Sequence, residues 1–385
     1  MGMDEEHLLE LIAEAQKRGG GILLNVGDSP QAVVLSVAAY TELLAGKPSA
    51  LLTGNSAPSE TVITTPKTLL ITGGAGYVGA HVAREALACG YKVVVLDNLF
   101  SGKKEYVPAE AIFIEGDVRD INLLREIFAT HAINAVVHLA ALLEVGESVE
   151  KPIEYFETNT IATSRLLLAM KEAGVGRLIF SSTAAVYKSH DKSLLNEKAE
   201  RKPTNPYGES KLMAERIIAY YCMYAGMQAT VLRFFNVAGS LVEWGIFDTH
   251  KAAHLIPVVL DVAKGNLAIL TVNGGDWETA DKTCVRDYVH AHDVARAHMA
   301  VLDKAKHTGF RAYNVGNGHG FSVNDVVQTA TEVTGRMIPM QVGPRRAGDS
   351  AELVADVSLI FKELGFKAQY SLEDIIKSAW QAPSA

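Results

Sequence analysis

Tyr207 and Lys211 stand four residues apart in Pro206-Tyr207-Gly208-Glu209-Ser210-Lys211, the spacing that sets two side chains on one face of a helix. A phenol ionises at about pH 10 in water, and a neighbouring ammonium stabilises the phenolate and draws that value toward working pH. Tyr207 is thereby a candidate general base. Taken by itself, the spacing more often describes an amphipathic helix with a surface tyrosine and a solvated lysine. A second group is Gly73-Gly74-Ala75-Gly76-Tyr77-Val78-Gly79. Glycines at this spacing let a backbone approach a pyrophosphate while a helix N-terminus supplies N–H donors. Asp97 follows at about the 20-residue interval where a carboxylate accepts from ribose hydroxyls and repels a 2′-phosphate, so NAD is expected rather than NADP.

These residues need a scaffold that gathers strand ends. Lys67 to Thr72 is an apolar run ahead of the glycines, and Val82, Ala83, Ala86 and Leu87 follow with helical periodicity. Tyr91 to Leu96 reads as the next strand and ends at Asp97. Ala111 to Gly116 leads to Asp117 and Val118, placed to meet an adenine. Ala135 to Ala141 ends in a small-residue loop, Leu139-Ala140-Ala141, under the cofactor, and Arg177 to Phe180 leads to Ser181-Ser182-Thr183. Helices from Asn122 to Thr130 and Asn159 to Ala173 supply crossovers. The expected fold is α/β, a Rossmann-like doubly wound parallel sheet whose loops at the strand C-terminal ends bind the ligand. Val231 to Gly239 adds a further strand and loop.

Thr72-Gly73-x-x-Gly76-x-x-Gly79, Asp97-Asn98, Gly116-Asp117-Val118, His138-Leu139-Ala140-Ala141, Ser181-Ser182-Thr183-Ala184-Ala185-Val186-Tyr187 and Tyr207-x-x-x-Lys211 together resemble the extended short-chain dehydrogenase/reductase superfamily. Within it the chain resembles the UDP-glucose 4-epimerases, from Pro66 to Trp380. The resemblance implies that NAD is bound by Gly73, Gly76, Tyr77, Val78, Gly79, Asp97, Asn98, Asp117, Val118, Leu139, Ala140, Ala141 and Phe235. It implies a smaller C-terminal α/β substrate domain that holds a UDP-sugar through Asn236, His254, Leu255, Arg286, Arg346 and Asp349. Two guanidinium groups suit a diphosphate, which they meet with paired N–H donors, and Asp349 suits the uridine ribose.

The implied reaction is C4 epimerisation of a UDP-hexose, interconverting UDP-glucose and UDP-galactose. Tyr207 takes the proton of the 4-hydroxyl while C4 gives hydride to NAD. Lys211 holds the phenolate and the nicotinamide ribose, Thr183 bonds the 4-oxygen, and a transient 4-keto sugar turns over before hydride returns. Ala184 and Ala185 stand where nucleotide-sugar dehydratases carry Asp-Glu and where UDP-glucuronate decarboxylases carry a Glu, so elimination has no carboxyl group to drive it. The chain departs from the pattern at Leu143, often Lys, and at His254, usually Asn. Leu353 is of intermediate size where an N-acetyl group would be judged, so UDP-GlcNAc and UDP-xylose/UDP-arabinose remain alternative substrates. The resemblance also implies a homodimer formed by helices after Asn159 and around Tyr207 to Tyr221. Leu166, Leu167, Leu168, Ile217 and Ile218 suit either that interface or the core.

The 385-residue chain is 48% hydrophobic and 21% charged with a net charge of −8, a balance that argues against a nucleic-acid or anionic-membrane surface. No apolar stretch has membrane-spanning length, and the acidic N-terminus lacks a secretory pattern, so a cytoplasmic protein is expected. Cys89, Cys222 and Cys284 show no ligand spacing, so neither disulfide nor metal is expected. Near the N-terminus a helix from Leu8 to Ala15, strands at Ile22 to Val26 and Ala32 to Val37 about a turn at Gly27 to Pro30, and a helix from Ala38 to Leu44 resemble the N-terminal half of prevent-host-death type antitoxins. That small α+β module implies a second reading: an NAD-binding regulator whose head contacts DNA or a toxin. Its acidity opposes phosphate binding. The expected organisation is residues 1–48 for the module, 49–66 for a Ser/Thr/Gly/Pro-rich linker, 67–240 for the NAD-binding domain, and 241–385 mainly for the substrate domain, with some segments returning.

Overall fold

Leu69 and Ile71 face one buried core and Leu70 faces another, so their strand is covered on both sides, as a continuous apolar run in a parallel sheet requires. The same alternation, Val93 and Val95 against Val94 and Leu96, continues in the neighbouring strand. A computed structural model describes residues 22–26, 29–33, 67–188, 194–248, 254–346 and 349–382. The chain divides into two units, Met1–Ile63 and Thr64–Ala385.

In the larger unit seven strands form one sheet: β1 (Thr68–Thr72), β2 (Lys92–Asp97), β3 (Ile112–Glu115), β4 (Ile133–His138), β5 (Arg177–Thr183), β6 (Gln228–Phe234) and β7 (Phe310–Val315). Their order is β7-β6-β5-β4-β1-β2-β3 with every pair parallel. The order reverses between β1 and β4, the topological switch point where such sheets open a crevice. Helix α1 (Tyr77–Ala88) packs on one face, and α2 (Ile121–Thr130), α3 (Ala162–Glu172) and α4 (Pro206–Ala225) pack on the other. The doubly wound fold expected from the strand and helix alternation is therefore present.

A smaller group of elements has its own core, which includes Ile256, Val259, Leu260, Val326, Ile375 and Ile376. Leu270–Asn273 pairs with Met340–Gly343, Val285–Arg286 lies between Phe321–Ser322 and Glu352–Leu353, and Asn236–Ala238 pairs with Tyr288–His290. The chain then returns to the main sheet through helix Ala291–Lys304 and β7.

Two local expectations change and one open assignment closes. The helix expected from Asn159 is entered earlier, through a π-turn at Phe156–Ile161 that runs into α3. Leu166, Leu167 and Ile218 are fully buried core and Ile217 packs against it, while Leu168 is exposed, because the inner faces of α3 and α4 are the ones that cover the sheet. In the smaller unit Ile22–Val26 pairs antiparallel with Ser29–Val33, not with a strand at Ala32 to Val37. Ser29 and Pro30 read as turn residues by type, yet Pro30 sits opposite Asn25, a place a two-stranded edge tolerates. The helices expected at Leu8 to Ala15 and Ala38 to Leu44 and the linker lie outside the described residues. Among the described residues no helix is long and apolar enough to cross a membrane.

Candidate functional site

Gly73 has φ +73°, and a Cβ there would come within 2.6 Å of the Ala140 backbone nitrogen. A Cβ on Gly79 would lie 2.0 Å from the Gly73 carbonyl oxygen. The turn after β1 is therefore too tight for side chains, and it leads into α1, whose N-cap Gly76 supplies no side-chain cap. The first N–H groups of α1 thus carry a partial positive charge suited to a phosphate. Tyr77 is buried and its hydroxyl donates to the Gly239 carbonyl, so its backbone rather than its ring is available at this turn.

Asp97 closes β2. Its carboxylate accepts from the Ala75 amide at 3.0 Å and the Leu99 amide at 2.8 Å; burial raises its pKa, and these backbone bonds oppose the rise. Asn98 donates to Asp117 at 2.9 Å. The Arg119 guanidinium, 2.7 Å away, is the chief reason Asp117 falls to about 2. The Leu139 and Ala140 backbone N–H groups donate hydrogen bonds to the Thr72 carbonyl at 3.0 and 3.1 Å. Beneath them His138 bridges the Thr72 and Thr163 hydroxyls at 2.6 and 2.9 Å. Burial, then the Lys211 charge, pushes this histidine down to about 3, so it stays neutral.

Helix α4 starts where its sequence dictates. The Asn205 side chain accepts from the Gly208 amide at 2.9 Å, and Pro206 occupies the first helical turn, a strong start signal. One turn then carries both Tyr207 and Lys211. Thr183, at the end of β5, accepts from the Ala185 amide at 3.1 Å, which leaves its hydroxyl proton free to point at a neighbour. Burial raises Tyr207 to about 12, and a hydrogen bond with Thr183 pulls against that rise. The expected lowering of the phenol does not prevail, because burial of Tyr207 outweighs it; the Lys211 ammonium itself donates to the Ser181 carbonyl at 3.0 Å and lies 4.9 Å from the Phe180 ring. Burial brings Lys211 itself down to about 7, with Glu215 acting in the opposite direction.

Toward the smaller group of elements, Phe235 is buried and Asn236 is fixed by its amide to the Asp287 carbonyl at 2.9 Å. His254, just ahead of helix α5 (Leu255–Lys264), meets Asp248 at 3.0 Å through Nδ1. Arg286 donates to the carbonyls of Val285 and Ser350 at 2.8 and 2.9 Å. Asp349 lies 2.9 Å from Arg346 and 3.9 Å from Arg286, so this carboxylate gathers both guanidinium groups.

One cleft of about 1040 Å³ runs along the C-terminal strand edge, and every sequence-predicted site residue lines it. Leu143, Ala184, Ala185 and Leu353 line it too. Phe100, Arg119 and Glu144, which no motif singles out, also face the cleft. Outside any motif too are Tyr155, whose ring stands edge-on to Tyr207 at 6.4 Å, and Asn159, which clamps the Leu142 backbone and the Ser210 hydroxyl. Only Arg119 carried a local signal, since it lies two residues from Asp117; the others depend on contacts between distant segments.

Residues 69–316 match the model of the NAD dependent epimerase/dehydratase family. The UDP-glucose 4-epimerase of Corynebacterium glutamicum is 44% identical across 82% of this chain and 96% of its own length. A UDP-glucose 4-epimerase from Stenotrophomonas maltophila, solved with bound NAD and formylated UDP-arabinopyranose, superposes with a TM-score of 0.79 at 35% identity, covering 82% of this chain and 97% of that one. The Bifidobacterium longum UDP-glucose 4-epimerase, solved with NAD+ and UDP, gives 0.77 at 38% identity, covering 82% and 98%.

Proposed function

Because the chain belongs to the NAD dependent epimerase/dehydratase family, we propose that it interconverts UDP-glucose and UDP-galactose by reversible oxidation at C4. The observation that carries this reading is the convergence of Thr183, Tyr207 and Lys211 in one cleft whose neighbouring positions 184 and 185 are alanines. We assign residues 67–240 to cofactor binding and 241–385 mainly to substrate binding, with 291–315 returning to the main sheet. The cradle suits NAD: Gly73 and Gly79 admit no Cβ, the first turn of α1 is uncapped, and Asp97 closes the adjacent strand. When bound, NAD supplies the acceptor and later the donor of hydride at the sugar C4.

The chain's own residues do the rest. Tyr207 takes the 4-hydroxyl proton as hydride leaves C4, and returns it when the keto sugar is reduced on its other face. Thr183, its oxygen already occupied by the Ala185 amide, turns its hydroxyl proton toward the Tyr207 phenolate before the proton is taken and toward the sugar 4-oxygen. Lys211 supplies positive charge below them. Arg286 and Arg346 meet the diphosphate, Asp349 aligning them until the substrate arrives. With alanine at both 184 and 185, the positions beside Thr183 offer no acid-base pair to expel water from the sugar, which leaves the oxidised sugar to be reduced.

The test is to incubate the purified full-length protein with UDP-galactose and follow UDP-glucose by chromatography. Turnover without added reductant, abolished in Tyr207→Phe, is the expected result; failure to convert any UDP-sugar refutes the reading. UDP-pentose epimerisation is a second reading, favoured by the Stenotrophomonas maltophila neighbour solved with a UDP-arabinopyranose derivative, and UDP-xylose belongs in the same assay. We also propose a homodimer. Ile161 and Leu168 share one stripe, and Met213, Tyr220 and Tyr224 share another on α4; all five are exposed, an apolar surface suited to a second copy.

A further inference from the structure

Glu215 lies one helical turn beyond Lys211 on α4 and is 1% exposed. A carboxylate so buried must be fully partnered to be tolerated. One oxygen accepts from the Ser182 hydroxyl at 2.6 Å and from Arg233 Nε at 2.9 Å; the other accepts from the second Arg233 nitrogen at 2.7 Å. Arg233, on β6, is itself 1% exposed. Its remaining nitrogen reaches the Tyr187 hydroxyl at 2.9 Å and the Glu197 carbonyl at 3.1 Å. Tyr187 donates onward to Asn314 on β7 at 2.6 Å. The network therefore ties α4 to β5, β6 and β7, and it ends beside the reacting groups. Ser182 stands between Ser181, whose carbonyl holds the Lys211 ammonium at 3.0 Å, and Thr183.

We propose that Glu215 is a positioning residue: its carboxylate, locked by Arg233, holds the Ser181–Thr183 strand end in register with Lys211 and sets a negative charge one turn behind the ammonium. This rests on the C4 chemistry assigned to the cleft above. Burial brings Lys211 down to about 7, and the Glu215 charge is what opposes that fall. His298 meets the Ser181 hydroxyl at 3.4 Å from the helix Ala291–Lys304, and burial holds it down to about 4. His138 faces Lys211 from β4 and is itself driven down to about 3, chiefly by burial. Arg201 approaches Glu215 to 3.6 Å from the loop before α4. Glu197 acts on Arg233 and Tyr187 from beyond β5, and Glu144 acts on Tyr207 across the cleft. Without Glu215 the ammonium loses its proton at lower pH, and Tyr207 loses the positive charge below it.

A buried ion pair with a purely architectural role is the competing explanation, and paired removal separates the two. Glu215→Gln alone strands Arg233 and lowers the melting temperature; Glu215→Gln with Arg233→Gln removes both charges and recovers much of it. If Glu215 positions Lys211, both variants still show kcat down about tenfold near neutral pH, with KM changed less than about twofold and the alkaline limb moved to lower pH. Glu215→Asp restores part of the rate. A second readout needs no turnover: the Lys211 proton is titrated by NMR in protein carrying 13C at lysine Cε, the resonance being assigned with Lys211→Arg. Its midpoint should move to lower pH in both Gln variants. A double variant that matches the wild type in midpoint overturns the proposal, whatever the enzyme's substrate. A shifted midpoint in a protein that turns over no UDP-sugar refutes the assigned reaction instead and leaves the positioning role standing.

Discussion

Replacing Lys211 with methionine should make the protein more stable at neutral and acid pH while disabling it. Lys211 is 3% exposed, and burial brings its pKa from 10.5 to about 7. Between those values the unfolded chain binds a proton that the folded protein has released, so stability rises with pH across that window. The penalty of holding the charged lysine is fully present below about pH 7 and gone by about pH 10.5. Its ceiling is about 5 kcal/mol, from about 1.4 kcal/mol per pH unit over the gap. Against this the variant gives up the bond to the Ser181 carbonyl and the contact with the Phe180 ring, together about 2–4 kcal/mol. A net gain of about 2 kcal/mol is expected at about pH 6, changing sign by about pH 10. Melting temperatures of the two proteins at about pH 6 and about pH 9.5 read this directly, and turnover of UDP-galactose should fall by about 100-fold or more. A variant that melts below the wild type at the lower pH, or a difference that does not change with pH, refutes the reasoning.

Gly79→Ala puts a Cβ 2.0 Å from the Gly73 carbonyl, a backbone atom that cannot swing aside; NAD affinity measured by calorimetry should fall by about 100-fold, at a stability loss of about 1–3 kcal/mol. Gly176→Ala, where a Cβ meets nothing within 4 Å, is the matched control and should change neither. Arg286→Lys keeps the charge but loses the planar pair of donors, so KM for the UDP-sugar should rise about tenfold in steady-state kinetics with kcat affected less. Tyr224→Glu, on a residue 78% exposed, should give monomers by sedimentation velocity if α4 lies between two copies, with the isolated fold intact by circular dichroism.

What could be read along the chain was whatever depends on neighbours in sequence. The glycine turn, Asp97 at the end of its strand, and Asn205-Pro206 opening a helix over Tyr207 and Lys211 each declare themselves within a few residues, because local backbone geometry dictates them. The strand alternation was legible for the same reason, and with it the switch point that makes the cleft. Contacts between segments far apart were not. Tyr155 comes to Tyr207 from about a helix and a strand away, and Asn159 reaches Leu142 and Ser210 from a π-turn that no spacing announces. The hairpin strand at Ser29–Val33 was misread because Ser and Pro are counted as turn formers by type, whereas pairing with Asn25 and Val26 decides the matter.

Charge is where the two levels part most sharply. Spacing alone says that an ammonium beside a phenol lowers its pKa; the fold buries the phenol as well, and burial outweighs that lowering and lifts Tyr207 to about 12. The neighbours of the two groups include His138 on β4, Phe180 on β5 and Tyr155, which lie outside α4 and cannot be read from its spacing. The same enclosure that makes the proton hard to remove strengthens every charge placed there. Thr183 and Glu215 then become the means of returning proton affinities to a usable range, one from the strand end and one from a turn along the helix. A base built this way answers to distant residues: a change at Arg233, well behind the cleft, should reach Tyr207 through Glu215 and Lys211 without touching the sugar.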